Sequence, residues 1–162
     1  MSEQLSHEEK RERLYELIKK NDVAMMTTLS NDKLVSRPMS YQEAEEDGNL
    51  WFITMRDTEK ADELLADPRV NIAFSKEGYI SISGTARLVD DLELKKKYWN
   101  KAMDAFLNTT YDDPNVVLIK VEADSAEYWG TDQKAKTFVE GLKRLVSTDR
   151  TNDSETNQTL DL

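Results

Sequence analysis

The chain has 162 residues, of which 33% are charged, and its formal net charge is -10. This length favours one domain with a single core, and a surface this acidic repels nucleic acids and anionic membranes, so we expect neither as a partner. With no Cys and His7 as its one histidine, the chain has neither thiolate chemistry nor a histidine-centred triad, and we predict no metal site. No apolar run is long enough to span a membrane and the N-terminus lacks the apolar core of a signal peptide, so we expect a cytoplasmic location.

The periodicity of the sequence predicts short strands interrupted by helices. Ser6 and Glu9 have capping-box spacing, which predicts where the first helix begins. Pro38 places part of the second strand at an edge or a break, because proline gives no ladder donor. The predicted elements, in chain order, are a helix over 6–21, strands over 23–29, 34–41 and 49–54, a helix over 58–66, strands over 70–75 and 79–89, a helix from 90 or 91 to 107, a strand over 116–123 that continues into 127–129, and a helix over 134–146.

Six strands with turn signals at short spacing predict a mainly β fold, a closed antiparallel barrel with helical insertions. Gly84 lies inside the fifth strand, where a barrel strand bends or another segment approaches closely. We predict a single domain over 1–146 and, because the last residues are polar without periodicity, a disordered tail over 147–162. The buried stripe of the helix that follows the fifth strand is predicted to hold Leu92, Trp99, Ala102, Met103 and Phe106.

An anion-binding cradle is predicted where the third strand ends and the next helix begins. A helix N-terminus offers unpaired N–H groups and the positive end of its dipole, which suits a phosphate. Thr54 and Thr58 add hydroxyl donors there, and Lys60 adds a mobile positive charge. Arg37 is able to add a bidentate fork to the same anion. A capped helix, with Asp57 or Thr58 as the N-cap and Lys60 in solvent, explains the same residues.

A flat apolar slot is predicted beside this cradle. Pro38 and Met39 lie on the second strand, and Trp51, Phe52 and Ile53 make the third strand aromatic and apolar. Together these side chains would accept a ring system. Ordinary core packing accounts for the same pattern.

Four segments in a fixed order carry a family resemblance: "SRPM", then "LWFIT" with a Lys six residues after the Thr, then "ISISGTARLV", then "AEYW". Over about residues 8–130 the chain resembles the general stress protein branch of the pyridoxamine 5'-phosphate oxidase-like FMN-binding split-barrel family. The resemblance implies a six-stranded antiparallel split β-barrel that forms a homodimer. It also implies FMN as the cofactor, bound in clefts at the dimer interface.

At the phosphate of FMN, the resemblance implies roles for Arg37 and Lys60, with Thr58 at the start of the same helix. One residue departs from the oxidases of the family, which carry Arg just before the phosphate Lys where this chain has Glu59. A carboxylate at that position would weaken phosphate binding if it pointed inward.

Around the flavin ring, the resemblance implies that Pro38 and Met39 line the isoalloxazine edge. Ile53 and Thr54 would face the flavin and its ribityl chain through backbone and hydroxyl. Trp129 would lie near the flavin, reaching the cofactor of the other subunit. After Trp129 the sequence GTDQKAKTF lacks the Arg-and-His substrate motif of the oxidases, so we do not expect a pyridoxamine 5'-phosphate oxidase in the strict sense.

Three functions are consistent with these residues. The leading hypothesis is an FMN-dependent oxidoreductase that acts on an unidentified small molecule, with no catalytic side chain assigned, because the cofactor carries the chemistry. The second is a flavin-binding protein without turnover, for storage or sensing. The third is a cofactor-free acidic dimer that serves as an interaction module. Relatives in the superfamily also bind a deazaflavin or haem, but a chain whose one histidine is His7 is poorly suited to haem.

Overall fold

The structure, a computed structural model, describes residues 6–44, 48–76, 78–129 and 157–161. The helix predicted over 134–146 lies outside these residues. Within them, no helix is long and apolar enough to cross a membrane. The elements are α1 His7–Lys19, β1 Val23–Ser30, β2 Lys33–Ala44, β3 Asn49–Met55, α2 Glu59–Ala66, β4 Arg69–Phe74, β5 Tyr79–Val89, α3 Leu92–Tyr98, α4 Lys101–Leu107, β6 Val116–Trp129 and β7 Asn157–Asp161.

The strands form one antiparallel sheet in the order β3-β2-β1-β4-β5-β6-β7. β3 also pairs along its length with β6, from Asn49 opposite Glu122 to Met55 opposite Val116. This additional pairing closes six strands into a barrel. The predicted fold class, a mainly β six-stranded antiparallel split barrel with helical insertions, is confirmed.

β3 is buried on both of its faces, which explains why it reads as a continuous apolar segment. Leu50 and Phe52 point into the barrel core, which also holds Met26, Ile72 and Ile82 from neighbouring strands. The other face of β3 packs in a second apolar cluster with residues of β6, α3 and α4. That cluster consists of Trp51, Ile53, Tyr98, Met103, Val116 and Leu118.

Gly84 is required by the close approach of β6. The register between β5 and β6 shifts between Ser83 and Gly84. A Cβ atom at Gly84 would meet the carbonyl oxygen of Glu122 at 2.3 Å, so a larger residue would displace the backbone. The predicted bend or close approach at this glycine is therefore confirmed.

β1 is buried on one face only, since Val23 and Met25 are exposed while Ala24 and Met26 are buried. Pro38 was predicted to lie at an edge or a break, and the edge is confirmed: β2 runs through this residue, and on the side away from β1 no described strand pairs with it before Tyr41. Pro38 thus occupies an edge, as the missing donor requires.

The single long helix predicted after β5 is two short helices, α3 and α4. Asn100 ends the continuity because its side chain accepts a hydrogen bond from the Met103 N–H and begins α4 as its N-cap. The break changes which face is buried. Met103 is buried, but Leu92 is 53% and Phe106 83% exposed, and Ala102 is exposed as well, so the predicted buried stripe was wrong for those three residues.

The segment 157–161 is a strand at the edge of the sheet. β7 pairs with the end of β6, with Asn157 opposite Trp129 and Asp161 opposite Ser125. This stretch differs from the predicted disorder of the tail, because the unpaired edge of β6 beyond β3 offers backbone partners to a polar segment. The domain boundary at residue 146 and disorder in the rest of the tail remain predictions.

Candidate functional site

α2 begins where the sequence predicts, and its cap is Thr58. The Thr58 hydroxyl accepts a hydrogen bond from the Ala61 N–H at 3.3 Å and donates one to the Met55 carbonyl at 2.9 Å. Ala61 and Leu64 are buried, which holds the helix against the barrel beside β1 and β5. α2 thereby places its polar first turn at one end of the barrel.

Arg37 lies under α2 because of the register of the first two strands. Arg37 pairs with Met26 of β1, and the alternation of β2 turns its side chain to the same face as the buried Met39. Its Nη1 donates to the Thr28 hydroxyl at 2.8 Å, and its Nη2 to the Glu63 carboxylate at 2.7 Å. The Thr28 hydroxyl in turn donates to the same Glu63 oxygen at 2.7 Å.

Lys60 joins this group from the first turn of α2. It lies three residues before Glu63, a spacing that puts both side chains on one face of the helix. Burial, and then the charge of Arg37, lower the pKa of the Lys60 ammonium, while Glu63 acts in the opposite direction. Among the described residues Lys60 has neither a hydrogen bond nor an ion pair. We call Thr28, Arg37, Lys60 and Glu63 the mouth cluster.

The carboxylate of the mouth cluster is held in its ionised form. Burial alone would raise the pKa of Glu63, but the Thr28 hydrogen bond, the charge of Arg37, the Ser30 hydroxyl and the Arg37 hydrogen bond together bring it below the ordinary value. The side chains of Arg37 and Glu63 are 21% and 12% exposed, so the pair is largely shielded from water. A ligand that reaches Arg37 therefore meets a guanidinium already paired with a carboxylate.

The predicted ring-binding residues divide between two faces of β2. Pro38 is exposed on the outer face, where it lies opposite Met25 of β1, itself 42% exposed. On the other side of Met25, Ala73 of β4 pairs with it. Pro38, Met25 and Ala73 thus form an apolar row across three strands. Met39 is buried in the barrel core, so its side chain does not reach the outer row.

The remaining predicted residues are not all brought together. Thr54 is buried near the end of β3, one strand position before the turn that leads into α2. The side chain of Ile53 packs in the second apolar cluster, which leaves its backbone as the part able to meet a ligand. Trp129 pairs with Tyr79 at one end of β5. Thr85, which pairs with Arg69 just after α2, lies away from that end of β5. Within one chain, Trp129 is therefore separated from the mouth cluster.

Two other charged residues near α2 do not join the mouth cluster. Glu59, whose carboxylate was expected to oppose a phosphate if it pointed inward, is exposed at the first position of the helix. Arg56 pairs with Asp90 at 2.8 Å. Arg37 and Lys60 are the predicted phosphate residues that the fold brings together, although they are far apart in sequence.

Sequence reasoning missed Thr28 and Glu63. Thr28 shares the alternation of the buried Ala24 and Met26, which predicts that it faces inward. Glu63 follows Lys60 at helical spacing, which predicts a shared face. These signals become informative once the pairing of β1 with β2 and the docking of α2 are known.

Comparison with known proteins identifies the family. The family model described as pyridoxamine 5'-phosphate oxidase like matches residues 9–152. General stress protein 26 of Bacillus subtilis (strain 168) is 24% identical over 143 residues, which cover 84% of this chain and 99% of that protein.

Two crystal structures show the same similarity. That of general stress protein 26 from Bacillus anthracis str. Sterne has a TM-score of 0.66 and 30% identity, covering 73% of this chain and 92% of the other. That of the general stress FMN/FAD binding protein from Xanthomonas citri has a TM-score of 0.67 and 28% identity, covering 77% and 91% respectively. The family model spans most of the length of this chain, and the barrel closes as expected. The chain therefore belongs to the pyridoxamine 5'-phosphate oxidase-like family.

Proposed function

We propose that this protein binds FMN through the mouth cluster and is an FMN-dependent oxidoreductase of the cytoplasm. The observation that carries the proposal is the convergence of Arg37 from β2 with Lys60 from the first turn of α2. On a chain with a net charge of -10, two neighbouring and partly buried cations are a local reversal of sign. Such a reversal attracts an anion to one place on an otherwise repelling surface.

The donor groups fit a phosphate. A guanidinium binds phosphate oxygens through parallel N–H donors, and an ammonium adds a compact charge. The first N–H groups of α2 have no carbonyl partner within the helix. Of these, the Ala61 N–H donates a hydrogen bond to the Thr58 hydroxyl. Arg37 and Lys60 would therefore hold the phosphate, and the N–H groups of Glu59 and Lys60 would be free to support it.

The apolar row of Pro38, Met25 and Ala73 supports the second part of the proposal, a homodimer with the cofactor at its interface. No described segment of the chain packs over the two exposed members of this row. Val23 and Tyr79, also on the outer face, are 50% and 56% exposed. A flat ring bound against the row, covered by a second copy of the chain, would remove this apolar surface from water. In such a dimer, Trp129 would approach the cofactor of the other subunit.

The flavin would supply the electron or hydride transfer to a small molecule, and the protein would supply binding and orientation. Arg37 would hold the phosphate end in place, and Thr54 would position the chain that joins phosphate and ring. A second candidate is a flavin carrier or sensor without turnover, and it is supported by the contacts of Glu63, because the carboxylate of the mouth cluster is already bonded to Thr28 and Arg37.

The first experiment is a visible absorption spectrum of the freshly purified protein, followed by titration of the colourless fraction with FMN. We expect two flavin bands or saturable quenching of FMN fluorescence. A colourless protein that does not respond to FMN would contradict the proposal and favour a deazaflavin or a cofactor-free dimer. Turnover with NADH or NADPH would separate an oxidoreductase from a carrier.

The dimer is tested separately with Met25→Arg, which places a charge in the apolar row. We expect sedimentation to show a monomer that has lost most of its FMN affinity. Phe106→Arg is the matched control, because Phe106 is an exposed apolar residue on α4 and not on the outer face of β1 and β2. A Met25→Arg monomer that binds FMN as tightly as the unchanged protein would exclude the interface as the cofactor site.

A further inference from the structure

The guanidinium expected to bind phosphate is bonded to a carboxylate of its own chain. Nη2 of Arg37 donates to Glu63 Oε2 at 2.7 Å, while Nη1 is bonded to Thr28 at 2.8 Å. The two terminal nitrogens of Arg37 thus both have protein acceptors. A carboxylate and a phosphate are equivalent partners for such a fork, since each presents charged oxygens to parallel donors.

Glu63 is also placed to act on Lys60. Both side chains project from one face of α2, and the carboxylate raises the pKa of the ammonium against the effects of burial and Arg37. The Thr28 hydroxyl, which is buried, holds the carboxylate in this position. Glu63 therefore neutralises part of the positive charge on which phosphate binding depends.

We propose that Glu63 is an internal anion that competes with the ligand's phosphate for Arg37 and Lys60, and so limits the preference of the site for phosphorylated over unphosphorylated flavin. The inference rests on the proposed function, because it concerns the same site. Glu63 is absent from the set of residues that the family resemblance assigns to the cofactor. It enters through its hydrogen bonds with Arg37 and Thr28.

The charge balance explains why competition is expected. Arg37 and Lys60 contribute one positive charge each and Glu63 one negative charge, which leaves +1 at the mouth cluster. A phosphomonoester carries about -1.5 to -2 at neutral pH, so its charge exceeds what the cluster offers. At an effective dielectric near 20, like unit charges as far apart as about 12 Å repel strongly enough to change an affinity about tenfold, and closer charges repel more. A flavin without phosphate does not experience this repulsion.

Titration of Glu63→Gln with FMN and with riboflavin tests the proposal. Glutamine keeps the length of the side chain and an acceptor oxygen for Arg37 and Thr28 but removes the charge. Asp62→Asn is the matched control, because it removes the same charge from an exposed position on the same helix. Fluorescence quenching measures both affinities, and near-ultraviolet circular dichroism checks that each variant is folded.

We expect Glu63→Gln to bind FMN about tenfold more tightly and riboflavin with unchanged affinity, while Asp62→Asn changes either by less than about twofold. Weaker or unchanged FMN binding by Glu63→Gln would overturn the proposal and make Glu63 a positioning residue for Arg37 or a structural one. Equal tightening of both ligands would also overturn it, because the effect would not act on the phosphate. If neither the unchanged protein nor Glu63→Gln binds FMN, the proposed function itself fails. If the unchanged protein binds FMN and Lys60→Ala weakens that binding, the function stands whatever Glu63→Gln does.

Discussion

Two clusters, each with one Arg, one Lys and one carboxylate, have different consequences. The mouth cluster contains Arg, Lys and Glu, and a second group, the α3 cluster, contains Arg56, Lys95 and Asp90. Lys95 is 4% exposed, and its Nζ bonds the Asp90 carboxylate at 2.9 Å and the Val116 carbonyl at 3.1 Å. Asp90 also accepts from Arg56 at 2.8 Å. In the α3 cluster every charge has a protein partner, and the lysine connects α3 to β6.

The difference lies in the lysine. Lys95 has two acceptors, whereas Lys60 has neither a hydrogen bond nor an ion pair in the described part of the chain, and burial lowers the pKa of its ammonium. A partly desolvated ammonium without an acceptor raises the free energy of the folded protein, and an anionic ligand would relieve that cost. The comparison supports the proposal that the mouth cluster binds an anion, whereas the α3 cluster stabilises the fold.

Lys95→Met should produce the largest effect and separate the two clusters most clearly. It leaves the buried Val116 carbonyl without a donor and removes one cation from Asp90, so we expect a loss of about 3 kcal/mol in the free energy of unfolding. Urea denaturation measures this loss, and FMN titration of the folded fraction should be unchanged. Lys96→Met, at an exposed neighbouring position, is the control and should stay within about 0.5 kcal/mol.

Lys60→Ala should weaken FMN binding without lowering stability, the opposite of Lys95→Met. We expect FMN affinity to fall by about 1–3 kcal/mol, the range for loss of a charge-assisted hydrogen bond. The free energy of unfolding should stay constant or rise, because burial and Arg37 both disfavour the Lys60 charge in the folded protein. Lys101→Ala, exposed on α4, is the control. An unchanged FMN affinity in Lys60→Ala would remove Lys60 from the site.

The pH dependence of stability should carry a contribution from Glu63. Because its pKa in the folded protein is below the ordinary value of about 4.3, its ionised form stabilises the fold above that pH, and this contribution is lost as the pH falls through the lower folded value. We therefore expect Glu63→Gln to be less stable than the unchanged protein by about 1 kcal/mol at pH 7, with the difference shrinking below about pH 4. Denaturation at several pH values measures it. A difference that stays constant from pH 7 to pH 3 would exclude this charge contribution.

Arg56→Ala should have the smallest effect. The Arg56–Asp90 pair is about half exposed on both sides, so we expect a change of at most about 0.5 kcal/mol in stability. FMN affinity should be unaffected, because the pairing directs Arg56 to the α3 cluster. Weaker FMN binding in Arg56→Ala would show that Arg56 leaves Asp90 to assist the phosphate.

The sequence predicted local structure reliably where a single residue type determines the backbone conformation. Ser6 and Glu9 predicted the capping box of α1, and both of its hydrogen bonds are present. Thr58 was one of two predicted caps of α2. Gly84 marked a position where β6 approaches β5 too closely for a side chain. By contrast, Asn100 was not recognised as a cap, because the apolar residues around it maintained a helical period across the break.

Strand content, the antiparallel barrel, and the starts of α1 and α2 were determined by the sequence alone, because alternation, turn residues and caps act over a few neighbouring positions. The family was recognisable for a similar reason, since its motifs are short and occur in a fixed order. The tertiary structure decided which charges meet: the pairing of Met26 with Arg37 and the docking of α2 bring Arg37, Lys60 and Glu63 together. That outcome depends on strand register and helix packing between residues far apart in the chain, and local propensities do not specify either.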